Sequence, residues 1–519
     1  MKKFLTLIAV AGLVLGGASA VYANVCAMDQ VPAASLLFPF VVYDYNAGAD
    51  GQTTIFSVTN VSSEAMIVHF TLWTDYSAHI LDWNVVLSGY DTQQQNIRDI
   101  LMSGRLPVTG TNGETPTSVY NGGCAFEQGP MAVQPAQLPQ PDGVSGLAAR
   151  CNAADYANYP GFYVNALSAP LLNNIKSWLV ASQVVPRAEI SCSNGNLYDF
   201  TNYWFTSRTT ADPTWMYITA DVVYTCNSMF PEGDPAYWVD STGQVPTETG
   251  FQGMYDNVLI GDTLYTNPMT NFSEAVPAVH LEADVDLPTP IAEGFPVSFY
   301  HQYSAADCAV AGCGDFREPL ASAYGFRWMN DATQGLQTWV QVFKRATFTN
   351  IFNTQSPATI TDLFLLNSAG NVWSANLDQA PPSMMLAWDC EAYTYYVWDE
   401  DENCVTTTTG GGPSCPPGDP NCYSPRINLL PLETQEVEIT QFNIPTTSAG
   451  WMLIVWPWSN NQTWDDWFQT YVQVKYKGFG TYSAALPAAV MANFNCFPDQ
   501  ALPNLGINYD YVYPAPMAP

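Results

Sequence analysis

Positive charge is scarce in this sequence. Its 519 residues hold 15 Lys and Arg against 47 Asp and Glu, a formal charge of −32, yet only 12% of the chain is charged. Ordinary globular chains are about 25% charged, so the acidity reflects missing Lys and Arg rather than surplus carboxylate. Without clustered cations the chain is a poor partner for nucleic acid and for anionic membrane surfaces. Histidine is also rare: only His69, His79, His280 and His301 occur. There is no G-x-S-x-G elbow, H-E-x-x-H helix, Walker loop or complete G-x-G-x-x-G string. No CxxC pair occurs, which removes the close spacing that zinc sites favour and excludes covalent c-type haem.

Long apolar runs are missing too, apart from the N-terminus. Lys2 and Lys3 precede an apolar stretch from Phe4 to Leu15 and the small-residue sites Ala18-Ser19-Ala20 and Val21-Tyr22-Ala23. This is the pattern of a secretory signal peptide over residues 1–23. Its removal leaves 47 acidic against 13 basic residues, a charge of −34. The mature chain is expected to lack a transmembrane segment, and to reside outside a bacterial cell, on its surface or in the periplasm. All 12 cysteines lie beyond residue 23, an even number in an exported chain, which predicts disulfides. Spacing suggests Cys308 with Cys313, Cys415 with Cys422, and Cys124 with Cys151. Cys26 and Cys496 share a C-x-x-D-Q string near the two ends and are expected to clasp the termini.

What is plentiful is apolar and aromatic surface, 47% and 13% of the chain. That excludes a disordered acidic chain, which lacks the area needed to offset ordering entropy. Period-2 alternation dominates in Ala65–Asp75, Met216–Tyr224, Gln435–Gln441 and Thr470–Lys477, marking half-buried antiparallel strands. Met452–Val455, between Trp451 and Trp456, is apolar on both faces and reads as a central strand with both tryptophans in the core. Two helices are expected. One follows Ser168 through Leu171, Leu172, Ile175, Trp178 and Leu179. The other covers Asn96–Ser103 and stops at Gly104.

The predicted class is all-β: two or three antiparallel, immunoglobulin-like β-sandwich domains with long disulfide-stapled loops. Composition places a sandwich at 24–102, a Pro/Gly/Gln-rich linker or excursion at 103–160, and a middle β-rich domain at 161–315. A C-terminal sandwich follows at 316–500, with a Cys-pinned low-complexity insertion at 404–422 and a tail at 501–519. An internal echo links the ends of this plan. Leu72-Trp73-Thr74-Asp75 followed by Tyr90-Asp91-Thr92-Gln93 parallels Val397-Trp398-Asp399-Glu400 followed by Leu432-Glu433-Thr434-Gln435. The insertion at 404–422 accounts for the longer second spacing if both ends are one sandwich type.

The strings LLFPF, TTIFSVTN, FTLWTD and LSGYDTQQQNIRDIL, with the ending LPAAVMANFNCFPDQALPNLGINY, resemble a group of exported bacterial β-rich proteins of unknown function. The resemblance implies export from a bacterium. It implies no activity, and no functional residue is carried over from it.

Three segments carry candidate chemistry. Alternation places His280, Glu282, Asp284 and Asp286 on one strand face, where they form either a solvated acidic face or a divalent-cation site. Neighbours on such a face stand roughly 7 Å apart along the strand, so one ion would need help from a second strand. Asp399, Asp401 and Asn403 alternate in an acidic turn suited to Ca²⁺ oxygen ligation. Cys404 and Gly410 stand at the sixth and twelfth positions, so the turn is not an EF-hand. Trp458, Trp464, Asp465, Asp466 and Trp467 combine aromatic faces with carboxylates, as a sugar-binding surface does; packing is the competing role. Asp465 and Asp466 are adjacent and make a poor glycosidase pair. No catalytic residue is assigned. The expectation is a non-catalytic exported structural, adhesive or assembly protein with Ca²⁺ as its candidate ion, and with self-assembly or cell-surface contacts. The alternatives are a polysaccharide-binding protein or hydrolase using Trp458–Trp467, and a periplasmic metal-binding protein.

Overall fold

A computed structural model describes residues 30–75, 79–107, 115–118, 163–164, part of 167–179, 213–223, 254–283, 299, 317–331, 333–345, 391–400, 426–430, 434–442, 444, 448–456, 469–478 and 483–492. All strand pairings among these are antiparallel.

The first unit comprises β1 (Ser35–Tyr43), β2 (Thr53–Asn60), β3 (Met66–Thr74), β4 (His79–Leu87) and β5 (Thr92–Asn96). Helix α1 (Ile97–Ser103), β6 (Thr115–Ser118), β7 (Tyr163–Val164), β8 (Thr214–Val223), β9 (Leu259–Asn267), β10 (Phe272–Pro277) and β11 (Val279–Leu281) complete it. One sheet has the order β11-β1-β8-β3-β4-β6-β7, the other β10-β9-β2-β5. The sheets face each other across one core. Phe56 of the second sheet lies 5.3 Å from Phe38 and 5.9 Å from Phe70 of the first, and Phe70 stacks on Trp83 at 5.3 Å. Burying each such ring contributes about 1.5–3 kcal/mol. Helix α1 stops at Gly104 as expected from the sequence, and begins one residue later than expected, with Asn96 as its cap. The Asn96 side chain accepts from Arg98 N, and Gly104 takes the left-handed conformation at φ 64°, which glycine adopts without steric cost. Ala169, Leu172, Ile175 and Leu179 are helical as well, and Ile175 and Leu179 join this core.

The second unit comprises β12 (Ala323–Asp331), β13 (Leu336–Arg345), β14 (Glu391–Asp399), β15 (Arg426–Leu430), β16 (Thr434–Glu438), β17 (Ala449–Val455), β18 (Gln469–Lys477), β19 (Ser483–Pro487) and β20 (Ala489–Ala492). β20-β12-β17-β14-β15 form one layer and β19-β18-β13-β16 the other. Among the described residues the layers join where β12 turns into β13, at Asn330↔Gln337 and Asp331↔Leu336. Trp328, Val342, Met452, Ile454, Trp456 and Val474 fill the core between them.

The second unit repeats the strand order of the first, so the echo in the sequence is a structural repeat. Order β11-β1-β8-β3-β4 over β10-β9-β2-β5 becomes β20-β12-β17-β14-β15 over β19-β18-β13-β16. The register matches residue by residue. Leu72↔Ile218 and Trp73↔Tyr217 correspond to Val397↔Met452 and Trp398↔Trp451. Thr92↔Thr59 corresponds to Thr434↔Phe343, and Pro277↔Asp262 to Pro487↔Gln473. Thr54 Oγ1 accepts from Val42 N at 2.8 Å and donates to Val42 O at 3.1 Å. Thr338 Oγ1 makes the same two bonds to Met329, both at 2.8 Å. Ala278 N donates to Gly261 O at 2.9 Å, as Ala488 N does to Val472 O at 2.9 Å.

Several sequence expectations change. The strands placed in a middle domain, β7 to β11, are hydrogen-bonded into the first unit: β8 lies between β1 and β3, and β9 beside β2. The first unit is therefore interrupted by the excursion, not finished before it. β1 and β2 fall in opposite sheets, whereas the first two immunoglobulin strands share one. The alternating segment from Gln435 ends as a strand at Glu438, and Ile439–Phe442 is a 3-10 turn. β3 is buried on both faces. No helix among the described residues is long and apolar enough to cross a membrane.

Candidate functional site

The seam between the two units holds the densest polar chemistry among the described residues. It is made by alternation. In β13 and β18, Val340, Val342, Val472 and Val474 point into the second core. Residues between them therefore face outward: Trp339, Gln341 and Phe343 on β13, and Tyr471, Gln473, Lys475 and Lys477 on β18. This outward face lies against the outer face of β1 and β8. Phe343 meets Tyr217 edge-on at 5.0 Å, and Tyr471 lies 6.1 Å from Phe40. Thr434 Oγ1 donates to Pro39 O at 2.6 Å.

Charged groups are buried along the seam. Lys475 Nζ lies 3.4 Å from Glu274 Oε2, with side chains 9% and 3% exposed. Lys475 also stands 4.9 Å over the Phe272 ring, and Ser483 Oγ donates to Glu274 Oε2 at 3.3 Å. Glu274 Oε1 has no hydrogen-bond partner among the described residues. Burial raises the Glu274 pKa above the usual carboxylate range, opposed by the Lys475 charge. Deeper along the sheet, Gln473 Nε2 donates to Gln341 Oε1 at 2.7 Å, and Gln341 Nε2 to Glu436 Oε2 at 2.9 Å. Lys477 reaches Glu436 Oε1 at 3.5 Å and lies 3.8 Å over the Trp339 ring. Burial lowers the Lys477 pKa, with Glu436 acting against it.

A second buried pair ties the entry to the second unit onto the first. Arg317 Nε lies 3.4 Å from Asp221 Oδ1, both side chains fully buried. Ser35 Oγ bridges them, donating to Asp221 and accepting from Arg317 Nε. Arg317 also lies 5.2 Å from the Tyr255 ring centroid. A buried pair of this kind is weak evidence for net stability, but losing one partner strands a charge in low dielectric. The seam thus fixes how two sheets dock.

The sequence candidates fall elsewhere. His280 is buried on β11. Its Nδ1 lies 2.7 Å from Val31 O and its Nε2 accepts from Gly261 N at 3.3 Å. Both ring nitrogens are engaged by backbone, which leaves no lone pair to offer a cation and replaces the outward-facing role expected for it. Glu282 is half-buried just after β11; Asp284 and Asp286 lie outside the described residues. Asp399 ends β14, half-buried, and the exposed Glu400 beside it pairs with Arg327 at 3.0 Å. Asp401, Asn403, Trp458, Trp464, Asp465, Asp466 and Trp467 lie outside the described residues. So do the proposed disulfide cysteines Cys26, Cys496, Cys124, Cys151, Cys308, Cys313, Cys415 and Cys422, and the signal segment 1–23. Among the described residues, no group of three or more His, Cys, Asp or Glu is arranged to hold a metal. His69 is the structural histidine expected in its strand, fully buried with Nδ1 2.8 Å from Asn84 Oδ1. Trp456 is core at 1% exposure, but Trp451 lies on the outer face, half-buried.

Sequence reasoning missed Glu274, Lys475, Asp221 and Arg317. One signal was present: with so few Lys and Arg, a lysine inside an alternating strand such as Thr470–Lys477 stands out as a paired residue.

No protein-family model matches the chain, and no curated protein matches it. Solved structures similar to it include an α-L-rhamnosidase from Streptomyces avermitilis complexed with L-rhamnose. That alignment has 6% identity, covers 90% of this chain and 28% of the rhamnosidase, and gives a TM-score of 0.15. A Pleurotus ostreatus lectin aligns in its apo form at 7% identity over 89% of this chain and 86% of the lectin, TM-score 0.13. The lectin in complex with GalNAc aligns at 7% identity over 89% and 83%, TM-score 0.13. The chain spans little more than a quarter of the rhamnosidase it aligns with. Scores this low carry neither a shared fold nor a shared activity.

Proposed function

We propose that this protein is a non-catalytic, exported structural or assembly protein of the extracellular space or cell surface. One observation carries the proposal: the chain's two copies of one strand order are joined through broad sheet faces by aromatic rings and buried ion pairs. This is docking chemistry. The seam positions its charged side chains to hold two sheets together, not around a cleft where a substrate would sit. The N-terminal signal pattern and the scarcity of catalytic motifs agree with it. The proposal includes β-sandwich units whose long loops are stapled by disulfides, Cys26 with Cys496 among them, and Ca²⁺ at the Asp399–Asn403 turn as a stabilising ion.

Light scattering and electron microscopy of the purified, oxidised protein test it. Oligomers or filaments that grow with concentration are the expected result. A strict monomer at high concentration would reject assembly as the function.

A further inference from the structure

The seam is a face-to-face contact between two copies of one fold, and each unit also carries the counterpart of the other's docking face. In the second unit, the outer face of β13 and β18 is covered by the first unit. Its counterpart in the first unit is the outer face of β2 and β9. Register assigns Ile55, Ser57 and Thr59 to the places of Trp339, Gln341 and Phe343. It assigns Ile260, Asp262 and Leu264 to those of Tyr471, Gln473 and Lys475. This face is open: Asp262 is exposed, and Ile55, Ile260 and Leu264 are half-buried.

The complementary face also recurs. In the first unit, Phe40, Trp73 and Tyr217 receive the second unit. Trp398 and Trp451 are the counterparts of Trp73 and Tyr217, and Arg327 stands where β1 has its Pro39–Phe40 bulge. Tyr217 is fully covered in the seam, whereas Trp451 stays half-buried. The Arg327 side chain is 72% exposed, and Glu400 beside it is 58% exposed. Tyr396 and Leu453 nearby are buried, so the offered patch is the Trp451–Arg327 rim.

We propose that copies of this chain stack head to tail, the Trp451–Arg327 rim of one docking on the β2–β9 face of the next, in the relation its own two units already have. The occupant is a second copy because the chain itself contains the template of the contact. Charge agrees. Phe40, in the bulge whose place Arg327 takes, packs on Tyr471, the counterpart of Ile260, and Asp262 lies two residues along the same strand face. Arg327 of one copy therefore falls beside Asp262 of the next. The contact joins two different patches, so it propagates as an open row and does not close into a two-fold dimer. The inference rests on the assembly function proposed above and specifies its interface.

Sedimentation velocity on the full mature chain, with Asp262→Lys and Arg327→Glu variants, tests it. Both sites are on the surface, and circular dichroism checks that each variant is folded. Each variant alone should lose at least tenfold in self-association. An equimolar mixture should recover rows of alternating variants, because the native Arg327–Asp262 contact and its charge-reversed counterpart then both form. Asp262→Lys combined with Arg327→Glu in one chain should restore rows. Wild-type rows with both single variants assembling like wild type would overturn this interface while leaving the assembly function standing. A monomeric wild type would overturn both.

Discussion

Trp73 of β3 and Trp398 of β14 occupy the same place in two copies of one strand order, and each stacks on the aromatic residue opposite it in the neighbouring strand. Trp73 lies 5.9 Å from Tyr217 at an interplanar angle of 11°, and Trp398 lies 3.7 Å from Trp451 at 4°. The first pair is sealed by the second unit. In the second pair Trp451 stays half-buried.

The repeat conserves volume where it does not conserve residues. Val41 and Met216 pair in the first unit; Trp328 and Gly450 take their places in the second. A Cβ on Gly450 would collide with Trp398 O and come within 2.6 Å of Trp328 Cζ2. Gly450→Ala should therefore destabilise the protein by about 1–3 kcal/mol, the range for overpacking. Urea unfolding followed by tryptophan fluorescence measures it. Gly450→Ala with Trp328→Val should recover part of the loss; an undisturbed single variant would refute the volume exchange.

Breaking the buried seam pair should cost more than replacing it. Lys475→Met leaves Glu274 without its cation and should destabilise by about 3–5 kcal/mol. Lys475→Met with Glu274→Leu removes the stranded charge and should lie closer to wild type than Lys475→Met alone. Chemical denaturation of the four proteins in the cycle gives the coupling directly.

Glu274 also makes a signed prediction for pH. Its folded-state pKa is raised, chiefly by burial, so the folded protein holds this proton more tightly than the unfolded chain. Stability from this group is fully present below the ordinary glutamate pKa of 4.5 and is lost as pH rises through the raised value. Wild type should therefore gain stability relative to Glu274→Gln as pH falls from neutral towards 4.5. Melting temperatures of the two proteins across that window test it, and a constant difference would rule it out.

Thr54 and Thr338 should behave alike despite lying in different units. Each hydroxyl satisfies both backbone groups of one residue at a strand corner, Val42 or Met329. Replacing either by Val leaves that N–H without its partner and should cost about 1–3 kcal/mol, the part-buried Met329 site at the lower end. The sites share no partner, so the two losses should add. Equilibrium unfolding of the single and double variants checks this.

Local rules were legible in the sequence. Alternation located β3, β8, β16 and β18 to within a residue or a few, and the Asn96–Ser103 pattern with its stop at Gly104 located α1 to within one residue. The Trp73 and Trp398 strings located equivalent strands correctly. The rest of the repeat was hidden because the insertions fall at different corners. β2 ends at Asn60 and β3 starts at Met66, but β13 ends at Arg345 and β14 starts at Glu391. β8 follows a long excursion after α1, while β17 starts soon after Phe442. Loop closure over such lengths costs little more than over short ones, so the fold tolerates them while a linear comparison loses alignment.

The sequence by itself determined the all-β class, the strand faces and the scarcity of cations, since these depend on side-chain alternation and composition. Tertiary structure decided which strands complete the first unit, which outward face is buried, and where the few cations go. Pairing across long chain separations is set by the fit of whole sheets. Lys475 stands out in the sequence as a scarce cation on an alternating strand, but its partner is decided only when the second unit carries it against Glu274.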